Sequence, residues 1–270
     1  YFINNHAFRF IFIYIAFQTK NQMKKSIQFL IILLFFALNS YSQSVDEIIE
    51  NYYENTGGID KWKELKGVKM LAKLNQQGME IPIELIQMKG GKSMQIINFQ
   101  GQSIKAQVFD GEVSWGINMM SQQPEKSDQE TTDNLKLENN DFPDSFMDYK
   151  SKGYSAELIG KETFDGTETF KIKLTKEPKT IDGKKEDDIT FYFFDTENYV
   201  PIAIQTMITQ GPSKGMTMEI TMSDYQEVEG LYFPFSQTQG IKDQPSLPLI
   251  IDSIELNPII DENEFKFPEN

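Results

Sequence analysis

Cysteine is absent from this chain of 270 residues, and histidine and arginine occur once each, as His6 and Arg9. No disulfide can form, so a fold in an oxidising compartment has to rest on core burial alone. With no cysteine and one histidine near the N-terminus, zinc and other transition metals lose their usual ligands, so no metal and no cofactor is expected. A histidine-based nucleophilic triad is excluded on the same ground. Long apolar runs are missing too. Phe8–Phe17 and Phe29–Leu38 hold ten residues each, whereas a membrane-spanning helix needs about 20.

The second of those runs has a specific reading. Met23-Lys-Lys25 precedes it and Ser40-Tyr-Ser42 follows, the basic, apolar and small-residue order of a secretory signal peptide over residues 23–42. Residues 1–22 lie ahead of that methionine and read as translation upstream of the true start. His6 and Arg9 then leave with the leader, and residues 43–270 form the expected single domain. There, 22 lysines face 40 aspartates and glutamates, a formal charge of −18. Such a balance repels nucleic acid and anionic membrane surfaces. With no cysteine to acylate, the expectation is a soluble periplasmic monomer without a lipid anchor.

Ser44-Val-Asp-Glu47 is a capping box, followed by Ile48, Ile49, Tyr52 and Tyr53 at helical spacing and a stop at Gly57-Gly58. A second short helix carries Trp62 and Leu65. From Val68 the period becomes two, over 68–76, 80–89, 93–99, 102–109 and 112–118, with Gly-containing turns between. Residues 121–152 break the rhythm. Asp141–Tyr149 reads as a short amphipathic helix, with Phe142, Phe146 and Tyr149 on one side as lid candidates; the alternative is a plain surface connection. Strands resume at 155–163 and 167–175, and a long charged turn spans 178–188. Three adjacent strands follow at 189–195, 200–209 and 216–222. The last two are 231–239, where Pro234 suggests an edge or a bulge, and 249–256. Phe265 and Phe267 are expected to tuck the tail onto the sheet. The class is mainly β (α+β), an up-and-down antiparallel meander of about eleven strands covered by short helices.

Catalytic motifs fail on context. Gly211-Pro-Ser213-Lys-Gly215 has the nucleophile-elbow spacing but sits in a turn between strands with no histidine to serve it. Gly91-Lys92-Ser93 resembles the end of a phosphate loop, yet Ile86 stands where the first glycine belongs. Carboxylates are abundant, but Asp187-Asp188 and Asp261–Glu264 read as solvated charge. The chain is read as a non-enzyme, a hydrolase being the lesser alternative. The positive signal is methionine. Eleven remain after the leader, and Met70, Met79, Met88, Met94, Met207, Met216, Met218 and Met222 fall in expected strands. Flexible thioethers suit surfaces that accept variable apolar shapes. Alternation nominates Phe191, Phe193, Ile202, Ile204, Met216, Met218, Ile220 and Met222 as ligand-binding residues of an apolar concave face. The competing reading is that this face packs only against the protein's own helix.

Several motifs together resemble a known family. They are Thr56-Gly-Gly-Ile-Asp-Lys-Trp62, Phe109-Asp-Gly-Glu-Val-Ser-Trp115, Gly160-Lys-Glu-Thr-Phe-Asp-Gly166, Phe193-Phe-Asp-Thr-Glu-Asn-Tyr-Val-Pro201, Tyr225-Gln-Glu-Val-Glu-Gly-Leu-Tyr-Phe-Pro234 and Phe265-Lys-Phe-Pro268. Over residues 44–268 the chain resembles periplasmic lipoprotein carriers of the LolA type, most of all the outer-membrane lipoprotein-sorting branch. The resemblance implies an unclosed β-barrel around an apolar cavity, covered by helices as a lid. It also implies a chaperone-like carrier of lipoprotein acyl chains or a similar lipid, receiving cargo from a membrane-bound donor complex and passing it to an acceptor. The alternative on the same fold is a lipid- or lipoprotein-sensing module acting through a protein partner. One departure stands out: the family's carriers hold the lid shut with an arginine, and residues 43–270 contain none. A lysine could supply the charge but not the forked geometry.

Overall fold

The computed structural model describes residues 43–268 apart from Gln77 and Gln210. The expected signal peptide and the residues before it lie outside the described residues. The order from the N-terminal side is α1 (Val45–Asn55), α2 (Ile59–Glu64), β1 (Gly67–Gln76), β2 (Met79–Met88), β3 (Ser93–Phe99), β4 (Gln102–Phe109), β5 (Ser114–Ile117), β6 (Pro124–Lys126) and α3 (Gln129–Asn139). It continues with β7 (Ser155–Phe164), β8 (Thr167–Thr175), β9 (Lys179–Ile181), β10 (Lys184–Glu186), β11 (Ile189–Asp195), β12 (Pro201–Met207), β13 (Thr217–Val228), β14 (Leu231–Ile241) and β15 (Leu247–Leu256). Thirteen strands make one antiparallel sheet in the order β6-β5-β4-β3-β2-β1-β15-β14-β13-β12-β11-β8-β7, and β9 and β10 form a separate hairpin. The sheet is not closed: β6 and β7 are its edges, and residues 127–154 connect them. This is the expected open half-barrel with more strands than the alternation suggested.

The helices seat on one face through a polar knot. Ser44 caps α1 by accepting from the Glu47 amide at 3.2 Å. At the other end the fully buried Thr56 hydroxyl donates to the Tyr52 carbonyl at 2.7 Å and accepts from the Trp62 indole N–H at 3.0 Å. The Thr56 carbonyl accepts from the Tyr232 amide at 3.1 Å. Gly57 has φ +117°, and a Cβ there would strike the Gly230 carbonyl, so the turn needs glycine on two counts. Tyr52, Tyr53, Trp62, Phe146, Phe194 and Phe233 then merge into the main core between helices and sheet.

A smaller core lies on the opposite face of the sheet. Ile86, Met94, Val108 and Trp115 pack there with Phe265, which is 1% exposed, and the Trp115 indole donates to the Phe265 carbonyl at 2.8 Å. The tail thus tucks onto the sheet as expected, on its convex side.

Three expectations are corrected. No helix covers Asp141–Tyr149; α3 comes earlier, capped by Asp128, whose side chain accepts from the Thr131 amide at 2.7 Å. Asp144 instead bends its segment into a turn by accepting from the Phe146 and Met147 amides. The charged stretch 178–188 contains the β9–β10 hairpin, closed by Asp182-Gly183. Pro234 lies inside the sheet, not on an edge strand, but β15 pairs with β14 only over Ser236–Gln239, so no ladder bond is demanded of it from that side.

Candidate functional site

Register decides which side chains face the helices. Ile172, Tyr192, Ile204, Ile220 and Gln239 stand opposite one another across five strands, and Thr206 with Met218 and Met222 with Gln237 extend the same face. Tyr192 and Phe194 pack against the helix-side core. Ile204, Met218, Ile220 and Met222 therefore lie on the concave face. Phe191 and Phe193 do not, which corrects their assignment. Phe191 stands opposite Lys173 and Gln205, and Phe193 is fully buried on the convex side beside Phe164, with ring centroids 5.1 Å apart. β11 is apolar on both faces, so alternation alone could not choose between them. Ile202 is the extra residue of a bulge, since Phe193 pairs with Ala203 and Phe194 with Pro201. Met216 precedes β13, in the turn after β12, and is 45% exposed.

Between sheet and cover lies a cavity of about 360 Å³, lined by Trp62, Met70, Phe146, Tyr192, Ile204 and Met222. A neighbouring cavity of about 330 Å³ lies under α3 and shares Val68, Met70, Gln87 and Glu138 with the first. Both fall at the lower end of the ~300–1,000 Å³ typical of small-molecule sites. Further along the concave face, Leu74, Ile81 and Leu249 sit side by side, and Met79 and Leu247 are 54% and 39% exposed. A larger groove of about 930 Å³ lies outside, between α1, α2 and residues 146–151. Its rim carries Asp46, Glu50, Glu54, Asp60 and Asp148, and it lacks the enclosing sheet of the inner cavity.

The three lid candidates belong to the covering segment. Phe146 is 4% exposed and meets Tyr192 and Phe194 at centroid distances of 4.7 and 5.5 Å. Tyr149 donates to Asp46 of α1 at 2.7 Å, and Phe142 packs at the margin of the core. Two aspartates fix this segment, their carboxyls shifted in opposite directions. Asp144 is half-buried, and desolvation pushes its carboxyl up, although one of its oxygens accepts from Tyr53 at 2.8 Å and from the Phe146 and Met147 amides at 2.7 and 3.1 Å. At Asp141 burial also works against the charge, but Lys176 at 3.0 Å and Lys152 at 3.2 Å outweigh it and hold the carboxyl below its ordinary range. Lys176 also reaches Asp188 at 3.3 Å, and Lys179 joins Asp188 to Glu138 of α3. Asp188 is 8% exposed, so its reading as solvated charge is corrected.

A substitution separates the two roles of Asp144. All three short hydrogen bonds use Oδ1, which asparagine retains. Asp144→Asn should leave stability unchanged or raise it at neutral pH. A carboxyl whose folded pKa is raised destabilises the fold increasingly as pH climbs above its unfolded value near 4. Asp144→Ala strands three donors and should cost about 2 kcal/mol or more. Urea titrations at pH 5 and 7 read both; a large loss for asparagine would refute the assignment.

Sequence reasoning missed Tyr52, Met70, Tyr192, Phe194, Asp141 and Lys176 as site residues. The helical spacing of Tyr52 was visible, but the Lys176–Asp141 pairing joins segments 35 residues apart and leaves no local trace. Ser213 lies in the turn between β12 and β13, where its neighbour Lys214 pairs with Asp182. Among the described residues no helix is long and apolar enough to cross a membrane.

An open antiparallel half-barrel with helices on its concave side is the LolA-type fold. The chain is similar to a LolA superfamily protein from Nitrosomonas europaea, with TM-score 0.52 and 11% identity over 83% of this chain and 97% of that one. It is similar as well to a DUF1329 family protein from Desulfovibrio piger, with TM-score 0.51 and 10% identity over 83% and 98% of the respective chains. No family model matches the sequence, and no curated protein matches it. At these identities the likeness defines the fold.

Proposed function

We propose that this protein is a periplasmic carrier that takes an acyl chain of a lipoprotein, or of a similar lipid, into its concave cavity for delivery to the outer membrane. One observation carries the reading: a partly open cavity walled by Met70, Phe146, Ile204 and Met222 on the concave side of a sheet whose apolar face continues past the cover to Leu74, Ile81 and Leu249. Burying a chain of about 14 CH₂ groups at ~0.8 kcal/mol each is worth on the order of 10 kcal/mol, so such a lipid needs an escort through water. Thioether walls accept differing chains. The protein acts by binding, not by catalysis, and a donor complex and an acceptor are its partners in transfer.

Protein purified from its own periplasm should carry lipid in native mass spectra, and the stripped protein should take up a fluorescent fatty-acid probe. Met222→Glu sets a carboxylate in the cavity wall and should weaken probe binding by about tenfold or more. No bound lipid together with no probe uptake would end this reading.

A further inference from the structure

The concave floor changes character beneath α3. Gln87 of β2, Gln95 of β3 and Gln107 of β4 all line the 330 Å³ cavity, whose roof is Leu135, Glu138 and Asn139. Gln95 and Gln107 are directly opposed, and Gln87 stands one pair along the same face, opposite Ser93. Ser93 accepts from the Asn139 amide at 2.9 Å. Gln87 and Gln107 are exposed and Gln95 half-buried, and their amides, bonded to no other side chain among the described residues, are free to meet a ligand in place of water. Each offers two donors and two acceptors without charge. No lysine lines this cavity, and its one charged group, Glu138, is already engaged by Lys179 at 2.8 Å.

We propose that this cavity is a headgroup subsite for a neutral head bearing hydroxyl or amide groups, with the acyl tail running on past Met70 towards Met222. Three features support the assignment. The row of amides matches groups that both donate and accept. An anionic head would meet the Glu138 carboxylate with no free cation to balance it. The polar cavity adjoins the apolar one, Val68, Met70, Gln87 and Glu138 lining both, which places a head on the amides next to a tail among the apolar groups. The proposal rests on the carrier reading above and adds the class of lipid.

The test compares two ligands that share a tail, 1-oleoylglycerol and 1-oleoylglycerol-3-phosphate, as competitors of a fluorescent acyl probe on the full protein. The monoglyceride should bind about tenfold or more tighter, as its extra hydroxyl donor to the amide carbonyls and the repulsion of the phosphate by Glu138 together allow. Gln95→Leu with Gln107→Leu should reduce that preference several-fold while probe binding persists, Glu138 keeping the remainder. Should this double variant fail to fold, Gln107→Ala alone, at an exposed side chain, reads the same ratio. Equal affinities in the wild type, or a preference unchanged in the variants, would overturn the headgroup assignment and leave the carrier reading intact. No uptake of the probe at all would overturn both.

Discussion

Trp62→Ala should lower the stability of the fold by about 3–5 kcal/mol, the range for emptying a buried tryptophan site. Trp62 is 4% exposed and packs on Phe233 at 5.1 Å and on Tyr52 and Tyr53 at 6.5 Å. Its indole N–H also satisfies the buried Thr56 hydroxyl, which fastens the end of α1. Truncation therefore leaves a cavity and an orphaned acceptor at the point where both helices meet the sheet. Trp62→Phe keeps much of the apolar area but loses the hydrogen bond, and should cost distinctly less. The midpoint of urea unfolding reads both variants. A loss below about 1 kcal/mol for alanine would show that the helices are not part of the cooperative unit.

Lys176→Met should cost about 3 kcal/mol, because two buried carboxylates then lose a shared cation. Lys176, Asp141 and Asp188 have side-chain exposures of 11%, 7% and 8%. Lys152 and Lys179 remain, so compensation is partial. Adding Asp141→Asn to Lys176→Met should recover part of the loss, which a double-mutant cycle measures. The pH dependence has a defined sign. Asp141 is held below its ordinary range, so its contribution is complete above its unfolded pKa near 4 and disappears as pH falls through the lower folded value. Lys176 is raised because Asp141 and Asp188 overcome the effect of burial, so its contribution is complete below about 10.4 and is lost as pH rises through the higher folded value. The gap between wild type and Lys176→Met should stay constant from about pH 5 to 9 and narrow in acid. A gap that widens in acid would refute the pairing.

The meander was legible because its turns are punctuated: Gly90-Gly91, Asp110-Gly111 and Asp165-Gly166 stand where the ladders reverse. The concave face was legible wherever one face is polar. β13 alternates Met218, Ile220 and Met222 with Glu219 and Thr221, and those three residues do face the helices. It was illegible at Phe191 and Phe193, where both faces are apolar and only pairing with Ile204 shows that Tyr192 is the inward residue. α3 escaped notice because Leu135 and Leu137 are its only large apolar residues; Asp128 ahead of it was a readable cap. The row of glutamines is a tertiary feature, formed by three neighbouring strands whose offsets the chain states only through their turns.

The pairing of β14 with β15 spans four residue pairs, against ten for β13 with β14 and seven for β1 with β15. It is the shortest ladder between β3 and β8 in the sheet order. The sheet can accordingly be divided at this ladder into two plates, which meet at a seam and share the helix-side core. One plate is braced from outside by the tail at Phe265, and the other carries Tyr192 and Phe194 against Phe146. Met70 belongs to the first plate and Met222 to the second, yet both wall the same cavity. A small splaying at the seam would widen that cavity, and it would be resisted by the helix-side core that Val68 of one plate and Phe194 of the other share.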